Sequence, residues 1–383
     1  MDKTKPGLCI LLTNTFMRSW TGSELYIRDV ALELIRRGHK PVVYSPRTGR
    51  LAEALRQKSI WVVSDLDQLG VQPDLIHGQH HLETMTALAR FPDVPAVYFS
   101  HGWLAWEEKP PRHPRILKYV AVSDTGYDCL VYECGIPAGE IEVILNSVDL
   151  ERFQPRPPLP PSPGRALVFH NKVATSNILE VIREACSRRG VKLDVIGSWS
   201  GKPTEHPETL LGKYDIIFGL GRSALEGMAT GAAVICCGPE GAGEMVTTQN
   251  FDRLRRQNFG LRALDKPLTV ETLQEQIGRY DAPDALKISQ KVREAAGLHN
   301  MVDQVLEVYG SVLERWAAQP VQDREAENLA YSAYLRSITD KFYRESEITR
   351  KFRDSLPWKL ISRVYRFRFV QNFVDRTFLG PRD

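Results

Sequence analysis

At 383 residues the chain is long for one hydrophobic core and comfortable for two domains of roughly 150 residues each. Its 43% hydrophobic and 25% charged residues are ordinary for a soluble globular protein. The net charge of +3 is uneven: positions 351–383 hold eight Lys or Arg against three Asp, a net of +5 that leaves −2 on the remainder. Bulk charge therefore excludes the globular part as a nucleic-acid-binding surface.

The first apolar run, 9–12, follows a basic start and leads directly from Leu12 into a polar loop, so it reads as a core strand and not as a signal peptide. No apolar stretch reaches the length needed to cross a bilayer. The six cysteines follow no metal-ligand spacing, and several sit inside apolar runs, as expected of buried small side chains in a reducing compartment. Localisation is expected to be cytoplasmic.

Further short β-branched or apolar runs fall at 41–44, 60–63, 74–76, 96–99, 119–122 and 142–145. Between them the clearest helical pattern is 22–37, where Leu25, Val30, Leu32 and Ile35 are expected to face inward. Alternation of this kind predicts a parallel sheet covered on both sides, hence an α/β domain over 1–155. Six prolines between Pro155 and Pro163 suit neither strand nor helix, and predict a stiff connector over 156–164.

The alternation restarts over 165–318, with strands at 166–169, 193–196, 214–218 and 233–237 and helices at 177–189, around Glu226, at 270–277 and at 300–316. Two such domains leave a cleft between the carboxyl ends of their strands. Beyond Pro320 an extension over 319–383 begins with a helix to about 350, with Tyr331, Tyr334, Leu335, Ile338 and Phe342 spaced for one face. After Pro357, aromatic and basic residues interleave. They suit an anionic membrane interface, and equally suit aromatics packed on the N-terminal domain with the arginines in water.

Chemistry-bearing residues gather at the strand ends. Gly22 stands at a helix start after the loop 13–21, where backbone approaches a bound group closely and the dipole favours an anion. The G-x-G-x-x-G fingerprint and its acidic partner are missing, which disfavours a nicotinamide cofactor. His77, His80, His81 and His101 crowd near two strand ends without an H-E-x-x-H pattern, and Asp65-Leu66-Asp67 is a weak metal site, so no metal is expected. His101, directly after the strand at 96–99, would meet a substrate hydroxyl or phosphate. His170, Asn171 and Lys172 follow the strand at 166–169, and Lys172 would present an ammonium to the same cleft as Arg222. The run 219–231 reads as a glycine-rich turn entering a short helix, with Arg222 and Ser223 placed to seat a diphosphate and Glu226 one turn on. An ordinary strand-to-helix turn has the same local pattern. No G-x-S-x-G elbow or P-loop occurs, so hydrolase and kinase readings lose their usual support.

In their order over about 8–316, Gly22, Ser100-His101-Gly102, Val122-Ser123, Asn146-Ser147-Val148-Asp149 with Phe153, Lys172 and the segment 218–231 resemble the retaining nucleotide-sugar glycosyltransferases of family 4. The resemblance implies the GT-B fold, two Rossmann-like domains facing across a cleft, here with a helical basic extension. It implies transfer of a sugar from a nucleoside diphosphate donor, without cofactor or metal, to a glycan, lipid-linked or small-molecule acceptor, in cell-surface polysaccharide synthesis. His101, Lys172 and Glu226 would be catalytic. Gly22, Asn171, Lys172, Gly221, Arg222, Ser223, Ala224 and Glu226 would hold the donor, with Asn146 and Glu244 as additional candidates. The basic tail would place the chain peripherally at the inner face of the plasma membrane. Two positions depart from the pattern: Phe218 stands where the family usually has a glutamate, eight places before Glu226, and Ser147 stands where glycine is common. They keep two alternatives open, a sugar-nucleotide epimerase or hydrolase and a degenerate nucleotide-sugar-binding scaffold.

Overall fold

Apolar runs alternating with amphipathic helices can satisfy their backbone only as parallel sheets with both faces covered. The computed structural model describes residues 7–102, 104–170, 178–197, 204–318 and 323–354 and shows two such sheets. The first contains β1 (Cys9–Thr13), β3 (Lys40–Tyr44), β5 (Trp61–Val63), β6 (Leu75–Gly78), β7 (Ala96–Ser100), β8 (Ile116–Ala121) and β9 (Ile141–Val143), all parallel. Two short strands, β2 (Phe16–Met17) and β4 (Arg47–Thr48), pair in the loops beyond it. Its helices are α1 (Gly22–Arg36), α2 (Arg50–Arg56), α3 (His81–Arg90) and the short α4 (Asp124–Asp128). The strand order β5-β3-β1-β6-β7-β8-β9 reverses direction between β1 and β6. At that switch point the loops leaving the two strands diverge and open a crevice at their carboxyl ends.

The second sheet holds β10 (Arg165–Phe169), β11 (Lys192–Ile196), β12 (Ile216–Gly219), β13 (Ala233–Gly238) and β14 (Gly241–Met245), in the order β11-β10-β12-β13-β14. It reverses between β10 and β12, so the loops after Phe169 and Gly219 border a second crevice. Around it lie α5 (Ile178–Arg188), α6 (Glu208–Leu211), α7 (Arg222–Ala229), α8 (Phe251–Arg256), α9 (Val270–Gly278) and α10 (Ala282–Ala295). The proline-rich connector is fastened to this lobe: Arg156 pairs with Asp215 at 3.1 Å, and the Tyr280 hydroxyl donates to the Pro160 carbonyl at 2.9 Å.

Two expectations change, and two elements carry none from the sequence. The helix α11 (Leu298–Ala317) does not complete the second domain; Met301, Val302, Val305, Leu306 and Tyr309 are buried in the core of the first lobe. The chain thus crosses back after Gly297, and the Tyr309 hydroxyl meets His77 Nδ1 at 2.5 Å beneath the first sheet. The inward face of α1 is Tyr26, Ile27, Val30, Ala31 and Leu34, whereas Ile35 is exposed. Glu244 lies on β14, a strand without a counterpart in the sequence reading, which pairs antiparallel with β13. Last, α10 carries no expectation from the sequence, although Asp281 caps its start through Asp284 N–H and a proline occupies its first turn.

The helix α12 (Arg324–Asp354) belongs to a separate unit with residues 112–114. Of its expected apolar face, Leu335 and Phe342 are exposed, whereas Tyr331, Tyr334 and Ile338 are partly buried. Helical pairs such as Lys341–Glu345 (2.7 Å) and Glu347–Lys351 (2.9 Å) run along it. Within this unit the rings of Tyr331 and His113 lie 4.7 Å apart. Tail residues 355–383 lie outside the described residues. No helix among the described residues is long and apolar enough to cross a membrane.

The return of α11 to the first core predicts that Leu306→Ala, emptying a buried position, destabilises the protein by about 2–5 kcal/mol. Leu335→Ala, at an exposed position, should change stability by less than about 0.5 kcal/mol. Chemical denaturation followed by tryptophan fluorescence reads both.

Candidate active-site cleft

The two switch points border one cleft of about 610 Å³. From the first lobe it is lined by the loop 19–23, Leu25 and Tyr26 of α1, His101 and Asn146; from the second, by Phe169, His170, Leu220, Arg222, Ser223, Glu226, Glu240 and Asn258, among others. The loop before α1 is held by one carboxylate. Glu24 accepts backbone N–H groups from Arg18 (2.8 Å), Ser19 (3.0 Å) and Thr21 (3.2 Å), which fixes the chain where Gly22 enters the helix. Gly22 is exposed there, with open space where a Cβ would stand.

His101 follows β7 and sits edge-on to Tyr26, ring centroids 4.3 Å apart. Its Nε2 is shielded from solvent and has no hydrogen-bond partner in the structure. Burial, with the charges of His80 and Arg222 adding to it, pushes its pKa down to about 3, so the imidazole is neutral at physiological pH. A neutral ring can donate from one nitrogen and accept at the other. The other histidines are spent structurally. His77 stacks on Phe99 at 3.8 Å, His80 Nδ1 meets the Thr15 amide and hydroxyl, and His81 packs edge-on to Trp106. Asp65 caps a single turn through the Asp67 N–H, and Asp67 pairs with Arg90. Among the described residues no group of three His, Cys, Asp or Glu is placed to hold a metal ion.

Across the cleft, β12 ends at Gly219 and α7 begins after Gly221, whose φ of 54° is a left-handed conformation natural to glycine. Ser223 Oγ accepts the Leu220 N–H at 3.0 Å and donates to the Leu220 carbonyl at 2.8 Å, closing the turn. The Gly221 N–H is taken by the Phe259 carbonyl, and the Ala224 side chain is buried in the second core instead of lining the cleft.

Arg222 is a bridge between lobes. Its Nη2 lies 2.5 Å from Asp29 Oδ2 on α1 and 3.5 Å from Glu226 Oε1, while Arg28 takes the other Asp29 oxygen at 2.5 Å. All four side chains are largely removed from solvent. Burial alone would raise the Asp29 pKa, but the Arg222 and Arg28 charges overrule it and hold the carboxyl below its usual range. Burial keeps Glu226 above its usual range against the pull of Arg222. Asn146 joins the bridge, donating to Asn258 at 3.1 Å, as do the surface pairs Arg256–Asp124 and Arg262–Asp128.

The structure thus brings Gly22, His101, Asn146, Arg222, Ser223 and Glu226 to one cleft. Asn171 and Lys172 lie outside the described residues. Glu244 does not line the cleft; it pairs with Arg253 at 2.5 Å and accepts from Asn250 at 3.3 Å. Phe218 is buried in the core on the opposite face of β12 from Ile217. Sequence reasoning passed over Asp29, Arg152 and Glu240. The one signal for Asp29 was the Arg28-Asp29 pair set among apolar residues of a helix that should have been only amphipathic; Arg152 and Glu240 stand in loops with no periodicity to betray them.

Residues 20–152 match the family Glycosyltransferase Family 4. Among solved structures, the chain is similar to a glycosyltransferase from Rickettsia africae (17% identity, TM-score 0.61, covering 80% of this chain and 99% of that one). It is similar to Anabaena Alr3699/HepE, solved with UDP and glucose (16%, 0.58, 79% and 100%), and to sucrose-phosphate synthase from Thermosynechococcus elongatus (14%, 0.54, 80% and 100%). No curated protein matches the sequence. At these identities the structural likeness establishes the GT-B fold.

The buried histidines set a pH dependence of stability. The native pKa of His101 is about 3 and that of His80 about 4, whereas in the unfolded chain both rise to the ordinary value of 6.5. Below pH 6.5 the unfolded state binds protons that the native state refuses, so stability falls as pH drops from 6.5 toward 4, by up to about 1.4 kcal/mol per pH unit for each histidine. Denaturation at stepped pH should show this slope, and His80→Gln should flatten it.

Proposed function

We propose, for a chain whose residues 20–152 match glycosyltransferase family 4 and which has the GT-B fold, that it transfers a sugar from a nucleoside diphosphate to an acceptor hydroxyl with retention at the anomeric carbon. The observation that carries this reading is the pairing of a neutral, unpartnered His101 nitrogen on one wall with the glycine-led turn into α7 and its Arg222 on the other. The neutral imidazole suits a sugar hydroxyl, and the turn with its cation suits phosphate. The Anabaena neighbour was solved with UDP-glucose, which makes a UDP-hexose the first donor to try.

In this reading the bond between the anomeric carbon and the diphosphate oxygen breaks with its electron pair leaving on the phosphate. The acceptor oxygen bonds to the same face of the carbon, and its proton passes to a diphosphate oxygen. Negative charge growing on the leaving group is what Arg222 and Lys172 stabilise, so no metal is required. Arg222 reaches the phosphate only by loosening its hold on Asp29, and Arg28 remains to neutralise the carboxylate left behind. Glu226 is the acceptor for ribose hydroxyls. A glycan or lipid-linked acceptor of cell-surface polysaccharide synthesis enters from the first lobe, and the basic tail rests on the anionic inner face of the membrane.

Purified protein given a panel of nucleoside diphosphate sugars and acceptors should form a product with the anomeric configuration of the donor, read by NMR, and should do so in excess chelator. Lys172→Ala should lower kcat at least about a hundredfold. Turnover without acceptor would instead mark an epimerase or hydrolase, and nucleotide binding without any turnover a degenerate scaffold. For the tail, pelleting with phosphatidylserine vesicles should weaken with added salt and on deletion of 351–383. Identical pelleting with and without the segment would refute the membrane role.

A further inference from the structure

A hexose presents several hydroxyl donors, and a site that grips it needs an acceptor-only group close to the phosphate-binding turn. Four carboxylates line the cleft: Glu108, Glu205, Glu226 and Glu240. Glu226 is buried against Arg222, and Glu205 reaches Arg50 at 3.9 Å. Glu108 folds back over Gly102, where a Cβ would meet its Oε2 at 2.1 Å. Glu240 differs from all three. It is exposed and stands with Pro239 at the tip of the two-residue hairpin between β13 and β14, and no hydrogen bond or ion pair engages it among the described residues.

Its position follows from the sheet. In the register β12 pairs with β13 as Gly219 with Cys236, so Gly238, the last residue of β13, lies beyond the end of β12, with Glu240 two residues further on, beside the turn that opens α7. A Cβ built on Gly238 would stand 2.5 Å from Leu220 Cδ1 and 3.3 Å from Glu240 Oε2. With no side chain at 238, the Leu220 methyl and the Glu240 carboxylate both approach that position. Position 218, on β12 two residues before Leu220, cannot contribute such a group, because its side chain is buried in the core with residues of α5 and α9.

Resting on the transferase reading above, we infer that Glu240 is the donor-sugar specificity residue, accepting hydrogen bonds from hydroxyls of the hexose carried by the nucleoside diphosphate. The nucleotide half is held by other groups, so Glu240 acts on the sugar alone. The hairpin tip also holds the carboxylate in solvent until a donor arrives, which leaves it available.

The test compares UDP-, GDP-, ADP- and dTDP-hexoses with their parent nucleoside diphosphates, by calorimetry on the wild-type full chain and on Glu240→Gln and Glu240→Asp. For the nucleotide the wild type binds, Glu240→Gln should weaken the hexose conjugate about ten- to a hundredfold while leaving the parent diphosphate within about twofold. Glu240→Asp, which keeps the charge and shortens the reach, should also weaken only the conjugate. Thermal midpoints of both variants should match wild type, since the position is exposed. Equal affinity of wild type and Glu240→Gln for the conjugate overturns the inference, as does an equal loss for conjugate and parent diphosphate. Absence of any nucleotide binding by the wild type overturns the transferase reading itself.

Discussion

One guanidinium joins the two lobes where the chemistry would occur. Arg222 opens α7 in the second lobe, yet its nearest carboxylate, Asp29, belongs to α1 of the first. Both are buried, and an ion pair in that setting is favourable only while every charge is met, since removing one partner typically costs about 3–5 kcal/mol. Here the requirement is satisfied by sharing: Asp29 has one oxygen on Arg222 and the other on Arg28, and Glu226 lies against the far side of Arg222. The position of α1 relative to α7, and with it the width of the cleft, is tied to this cluster.

The same cluster explains why α1 does not present a simple amphipathic face. Arg28, Asp29 and Glu33 are buried beside Ile27 and Val30 because the helix has two buried sides, one on its own sheet and one toward the second lobe. Glu33 meets Arg37 at 3.0 Å and His299 at 2.7 Å, so the polar side of the helix also binds the chain as it returns into α11. A helix that looks irregular by periodicity is regular once both partners are counted.

Much of the fold is legible without coordinates because parallel strands buried on both faces leave dense apolar runs. The cores of β1, β3, β7, β10 and β13 lie where such runs fall, and α5, α9 and α12 lie close to their expected spans. What escaped depends on long-range contacts. Nothing local distinguishes a helix packing on its own domain from α11, which crosses to the other. Nor does the sequence of β14 read as a strand: Gly241-Ala-Gly-Glu-Met has little β preference and is held by pairing with β13. For the site, turns at strand ends pointed to Gly22, His101, Arg222 and Ser223, because glycine and short polar residues there have a backbone reason. Whether a charged side chain is free for a ligand or already paired depends on residues nearly two hundred positions away, as Asp29 is from Arg222, and no local pattern carries that.

Electrostatics then separates the walls of the cleft by task. Where His101 and Tyr26 form the first wall it is polar and uncharged, since burial holds the imidazole neutral with Tyr26 packed against it. The second wall presents cationic Arg222 at the turn and the solvated carboxylate of Glu240 at the hairpin beside it. In the proposed reading, a ligand that is an anion at one end and a polyol at the other would place its phosphate at Arg222 of α7 and its hydroxyls toward Glu240. Reversing it would set phosphate against a carboxylate, and the repulsion would be strong in a partly dehydrated cleft. Orientation would then follow from Arg222 and Glu240 together, and their spacing is set by the register of β12 against β13.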